Sequence, residues 1–134
     1  MKICILAPDS RAEAAARLCA EFCGTLCRHD VHASLEAAEL ISRMSGFSPE
    51  PLFEYSRGAI EQALSRVENR EAGLVILLRN PLDRAQDHLI AELVSVCDAA
   101  GVPVATGMAT AEALLRSLSR GDLSGKSRKK VIIR

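Results

Sequence analysis

Gly73-Leu74-Val75-Ile76-Leu77-Leu78-Arg79-Asn80-Pro81-Leu82-Asp83 opens the stretch that decides the fold, and Val102-Pro103-Val104-Ala105-Thr106 closes it. A continuous apolar run such as Leu74 to Leu78 is a strand buried on both faces, which requires helices on each side of a parallel sheet. Asn80-Pro81 stops it, because proline lacks a backbone donor and disfavours helix in the residue before it. Leu89, Ile90, Leu93, Val94 and Cys97 then recur three and four apart, one face of a helix, with Gly101 beyond its end. Strand, helix, strand follows. Open parallel sheets take their ligands outside the carboxyl ends of the strands, so Arg79, Asn80, Asp83 and Thr106 mark the first place to look for a site.

Working outward, Lys2 to Ala7 reads as a first strand, with Asp9 or Ser10 placed to cap a helix whose buried face is Ala15, Leu18, Cys19, Phe22, Cys23 and Leu26. Val31 to Ala33 is a short second strand. Ser34 is placed to cap a helix carrying Ala37, Leu40, Ile41 and Met44. Leu52 to Tyr55 is expected as an edge strand after Pro49 and Pro51, and Ser56 starts a helix with Ile60, Ala63, Leu64 and Val67 inward. Thr110 is expected to cap the last helix, and Val131-Ile132-Ile133 to form a final short strand. The alternation predicts α/β architecture: a single doubly wound domain, residues 1–134, with a mainly parallel five-stranded sheet.

Three Phe and one Tyr leave a core of Leu, Ile, Val and Ala, which suits α/β packing. The 17 basic and 17 acidic residues cancel, so nothing draws the whole chain to nucleic acid or to an anionic membrane. From Arg120 onward six Lys or Arg stand against one Asp; without interleaved aromatics, the Lys126 to Lys130 run is a solvated loop. Gly125-Lys126-Ser127 lacks the upstream glycine and the preceding strand of a P-loop. Five cysteines, several within apolar periodic patterns, read as reduced thiols. Cys19, Cys23 and Cys27 share a helical ridge but lack the spacing of a zinc site, so neither metal nor cofactor is expected. Met1 to Leu6 is too short for a signal peptide, and the chain is expected in the cytoplasm.

Asn80-Pro81-Leu82, then Pro103-Val104-Ala105-Thr106, then Ala109-Thr110-Ala111 resemble the Asp-Pro-Leu, Pro-Val-Ala-Thr and Ala-Thr-Ala motifs of the methylglyoxal synthase-like domain, with Ala7-Pro8-Asp9 and Leu40-Ile41-Ser42-Arg43 in family order. The same domain occurs as the regulatory end of large carbamoyl-phosphate synthetases. For a synthase the resemblance implies that a carboxylate removes a proton beside the carbonyl of dihydroxyacetone phosphate, a histidine polarises the oxygen, and phosphate leaves. Here the family's Gly-Asp-Gln-Gln base motif aligns with Arg57-Gly58-Ala59-Ile60, and its Gly-Thr-Thr-Gly phosphate cradle with Leu35-Glu36-Ala37-Ala38. Asn80 replaces the Asp-Pro-Leu aspartate. Asp9 survives from the first motif, and His88 aligns with the catalytic histidine once one residue is deleted.

These departures lead to the expectation of a non-catalytic module that binds a small anionic metabolite through Asp9, Ser10, Arg11, Ser34, Asn80 and Thr106. Asp9 and His88 are the candidates for chemistry. The alternatives are a methylglyoxal synthase and an oligomeric scaffold without ligand. For Asp9 a plain helix cap, and for His88 a solvated surface position, are the competing structural readings. The resemblance also implies a homo-oligomer, a hexamer in the family.

Overall fold

A computed structural model describes residues 1–123. The expected strand at Val131 to Ile133 and the basic run from Lys126 lie outside the described residues. Five strands form one sheet: β1 (Lys2–Leu6), β2 (Asp30–Ala33), β3 (Glu50–Pro51), β4 (Ala72–Leu77) and β5 (Val104–Ala105). Their order is β3-β2-β1-β4-β5 and every pairing is parallel. All six residues of β4 are buried, as its unbroken hydrophobicity requires.

Side-chain alternation along the strands divides the core in two. Ile3, Ile5, Leu74 and Ile76 face one way, into a cluster completed by Ala15, Leu18 and Cys19 of α1 (Ala12–Glu21), Leu26 of α2 (Cys23–Leu26), Ala37 and Ile41 of α3 (Leu35–Met44), and Leu115 of α6 (Met108–Ser119). Cys4, Leu6, Val75 and Leu77 face the other way, toward Ile60, Ala63 and Val67 of α4 (Ala59–Glu68) and Ile90, Leu93 and Cys97 of α5 (Asp87–Ala100). Gly101 closes α5 with φ of 71°, the left-handed conformation a helix C-terminus favours.

Local expectations fail at the helix starts. Ser34 precedes α3 without capping it; its hydroxyl accepts from the Ala7 N–H and donates to the Ala7 carbonyl, both at 3.0 Å, tying the end of β1 to the end of β2. Neither Asp9 nor Ser10 caps α1: both lie in a 3-10 turn, Asp9–Arg11, and Arg11 occupies the cap position without a side-chain bond. Thr110 lies inside α6, whose N-cap is Gly107. The first helix breaks at Phe22, where φ of −107° and ψ of 22° leave the helical region, and Cys23 is only half-buried.

The third strand is Glu50–Pro51 rather than 52–55, because Leu52 turns inward and Tyr55 enters a 3-10 turn, Tyr55–Arg57. Helix α4 accordingly begins at Ala59, not Ser56. Gly58 permits that start: its φ is 123°, and a Cβ there would lie 2.8 Å from the Phe53 ring.

Two outcomes follow. Ser34→Ala leaves the Ala7 N–H and carbonyl without a buried partner, and chemical denaturation should show a loss of about 1–3 kcal/mol; an unchanged midpoint would remove Ser34 from the account. Burial pushes the Cys19 thiol up to about 12 and, as the largest effect, the Cys4 and Cys97 thiols up to about 11. The folded state therefore keeps protons that the unfolded chain releases above its ordinary thiol pKa near 9. Stability should fall as pH rises from about 9 toward 11. In the native state at pH 8 a thiol reagent should modify exposed Cys27 first and spare Cys4, Cys19 and Cys97.

Candidate functional site

The strand order changes direction at β1: the chain runs to β2 and β3 on one side, then crosses to β4 and β5 on the other. The loops leaving β1 and β4 therefore flank a crevice at the carboxyl edge of the sheet. Asn80 spans it, its amide donating to Ser10 Oγ at 3.3 Å. The Asn80 side-chain oxygen accepts from the Leu82 N–H at 3.0 Å, and Asp83 Oδ1 accepts from the Ala85 N–H at 3.1 Å. Both are side-chain turns of the kind that shape a loop after proline or glycine punctuation.

Asp9 and Ser10 are exposed in the turn after β1. Among the described residues no hydrogen bond or ion pair holds the Asp9 carboxylate. Arg11 is half-buried beside it, and its Nε is enclosed by protein without a hydrogen-bond partner. Thr106 is exposed at the end of β5, and His88 is exposed in the first turn of α5. Ser34 lies at the same edge but is fully buried, its one hydroxyl hydrogen committed to Ala7. Asp9, Ser10, Arg11, Asn80 and Thr106 thus share the carboxyl edge, while Ser34 stands behind it as a tie between strands.

Sequence reasoning passed over a second group at this edge. Glu36, in the first turn of α3, accepts the Tyr55 backbone N–H with its two carboxylate oxygens at 3.0 and 3.3 Å. This residue of the segment aligned with the family's phosphate cradle anchors Tyr55. The Tyr55 ring is 6% exposed, and the charged groups acting on its hydroxyl are Asp83, Arg79, Asp87 and Glu36. Burial first, then the Asp83 charge, push that hydroxyl up to about 12, against the opposing pull of Arg79. Asp87 is bridged by Arg84 at 3.0 Å and more loosely by Arg79 at 3.9 Å. The one tyrosine of the chain, placed just after a strand, was the available signal.

A groove of about 460 Å³ lies to one side, between α1 and α6, lined by Ser10, Arg11, Arg17, Met108 and the carboxylates of Glu13 and Glu112, among others. It touches the site only through Ser10 and Arg11. Among the described residues no group of three His, Cys, Asp or Glu is placed to hold a metal ion, and no helix is long and apolar enough to cross a membrane.

A five-stranded, all-parallel sheet with helices on both faces defines a doubly wound α/β domain. Known proteins narrow this further. The chain is 32% identical over 126 residues to a methylglyoxal synthase of Caldicellulosiruptor saccharolyticus, covering 92% of this chain and 89% of that one. It is 30% identical over 129 residues to the methylglyoxal synthase of Geobacillus thermodenitrificans, with 95% and 89% covered. A crystal structure of methylglyoxal synthase from Elizabethkingia anophelis matches the fold with a TM-score of 0.74 at 24% identity, over 85% of this chain and 76% of that one. No protein-family model matches. The chain belongs to the methylglyoxal synthase family.

This overturns the expectation of a non-catalytic module. That expectation weighed two local motifs, whereas the kinship with proteins named as synthases extends over nine-tenths of the chain. The enzymatic alternative takes its place. The local departures are nonetheless real in structure: Ala59 and Ile60 are buried and carry no carboxylate.

Proposed function

We propose that this chain is a carbon–oxygen lyase that converts dihydroxyacetone phosphate to methylglyoxal and inorganic phosphate at the carboxyl edge of the sheet. The observation that carries the reading is the identity of 30 to 32% with named synthases along nearly the whole chain. The reaction requires a base beside the substrate carbonyl and cations for the phosphate. Four carboxylates stand at the edge, and three are engaged: Glu36 with the Tyr55 N–H, Asp83 with the Ala85 N–H, and Asp87 with Arg84. Asp9 alone among these has no partner among the described residues, and it matches the carboxylate of the family's first motif. It is the base.

Arg11 and Arg79 take the place of the glycine-rich cradle. A guanidinium holds phosphate through a planar fork of donors, which compensates for the loss of backbone amides freed by glycine. Ser10, Asn80 and Thr106 complete the polar lining. Purified protein incubated with dihydroxyacetone phosphate should release inorganic phosphate and methylglyoxal in equal amounts. Asp9→Asn should lower kcat by roughly 10²- to 10⁴-fold, the range expected for a positioned base. A parent protein that releases no phosphate would overturn the reading.

The protein acts as a homo-oligomer in this proposal. Leu82, 92% exposed in the loop after β4, and Phe53, 60% exposed beside the two-residue edge strand, support a covered surface next to the site. Light scattering should give a mass several times the 14.4 kDa chain; a monomer mass that does not change with concentration would contradict it.

A further inference from the structure

A base must be held in place over its substrate, because a misplacement of about 1 Å can cost roughly 10²-fold in rate. Asp9 has no side-chain restraint of its own: it is exposed, it opens the 3-10 turn Asp9–Arg11, and among the described residues no hydrogen bond or ion pair holds its carboxylate. Its position comes from the chain before it. Two residues earlier, Ala7 is fully buried just beyond the end of β1, with its N–H and its carbonyl both bound to the Ser34 hydroxyl at 3.0 Å. Ser34 is fixed from two further directions. Its N–H donates to the Ile5 carbonyl at 3.0 Å, beside the last paired residues of β1 and β2, and its carbonyl accepts the Ala38 N–H at 2.8 Å, the first hydrogen bond of α3. From Ala7 the path to Asp9 is short and stiff. Pro8 has a φ of −70°, set by its ring, and its carbonyl accepts the Arg11 N–H at 2.9 Å, which closes the turn that presents Asp9.

Resting on the synthase reading with Asp9 as its base, we propose that Ser34 is a positioning residue, acting through Ala7 and Pro8 to hold the Asp9 carboxylate in place. It does not touch the substrate, since its side chain is fully buried and its one hydroxyl hydrogen is committed to Ala7. The Asn80 amide reaches the same turn from the other side, at Ser10, but over 3.3 Å and in an exposed contact where water competes. Burial spares the Ser34 bonds that competition.

Arg11 depends less on Ser34. Helix α1 begins at the next residue and the Arg11 Nε is enclosed by protein, so this cation is held from the helix side as well. Loss of the Ser34 hydroxyl therefore displaces the base more than the cation that meets the phosphate, and it lowers kcat more than it raises KM.

The test compares the parent, Ser34→Ala and Ser34→Thr with dihydroxyacetone phosphate, at a temperature where melting curves show each protein folded. Ser34→Ala should lose roughly 10- to 10²-fold in kcat while KM stays within about threefold. Ser34→Thr restores the hydroxyl and should bring kcat back to within about threefold of the parent. Amide hydrogen exchange should quicken at the Arg11 N–H in Ser34→Ala and stay unchanged at Val75 and Ile76 of β4. Should Ser34→Ala not fold, Ser34→Cys, of similar size but with only a weak donor and acceptor, takes its place in the same comparison. Turnover of the folded variant within about threefold of the parent overturns the inference and leaves the lyase reading standing, as does a KM that rises while kcat holds. A kcat loss that threonine does not recover, or one accompanied by faster exchange throughout β4, also overturns it, since the effect is then on packing or folding. A parent without phosphate release overturns the lyase reading and this inference with it.

Discussion

Six consecutive buried residues, Ala72–Leu77, are the constraint on which the rest of the structure depends. A strand with no polar face can exist only between two helical layers, so α1, α3 and α6 must cover one side of the sheet and α4 and α5 the other. With every strand parallel, each must be followed by a crossover, and the loops leaving the carboxyl ends collect along one edge. The change of direction between β1 and β4 opens a crevice there. The site is therefore a consequence of hydrophobic patterning before any functional residue is considered.

What the edge then contains is set by polar contacts between distant parts of the chain. Ser34 ties the end of β1 to the end of β2, Asn80 links the loop after β4 to the turn after β1, and Glu36 holds Tyr55. Each uses a group that a helix or loop alone would leave to water. These bonds tie the edge together while leaving the Asp9 carboxylate free of partners among the described residues.

The layers and the location of the edge were legible in the sequence because they rest on periodicity: the apolar run at Leu74 to Leu78, the break at Asn80-Pro81, and the helical spacing from Leu89 to Cys97. The caps were not legible. Ser34 has the right residue type immediately before a helix, yet its hydroxyl goes to Ala7, 27 residues away, which no local rule anticipates. The Tyr55 to Glu36 contact, across 19 residues, was equally invisible, and with it the end of the third strand. The functional misjudgement had a related cause. Substitutions at Ala59 and at Leu35 to Ala38 were taken as loss of chemistry, although an edge that gathers four carboxylates and several arginines can supply a base and cations from other positions.

The central claim is that chemistry occurs over the carboxyl edge, beside the turn after β1, and not in the groove between α1 and α6. A crystal structure of the protein with 2-phosphoglycolate, whose carboxylate mimics the charge on the substrate oxygen, tests it most directly. The account predicts the analogue over the turn after β1, beside Asp9, with its phosphate against Arg11 and Arg79. The analogue seated among Glu13, Arg17 and Glu112, or lying away from the carboxyl edge, would contradict it.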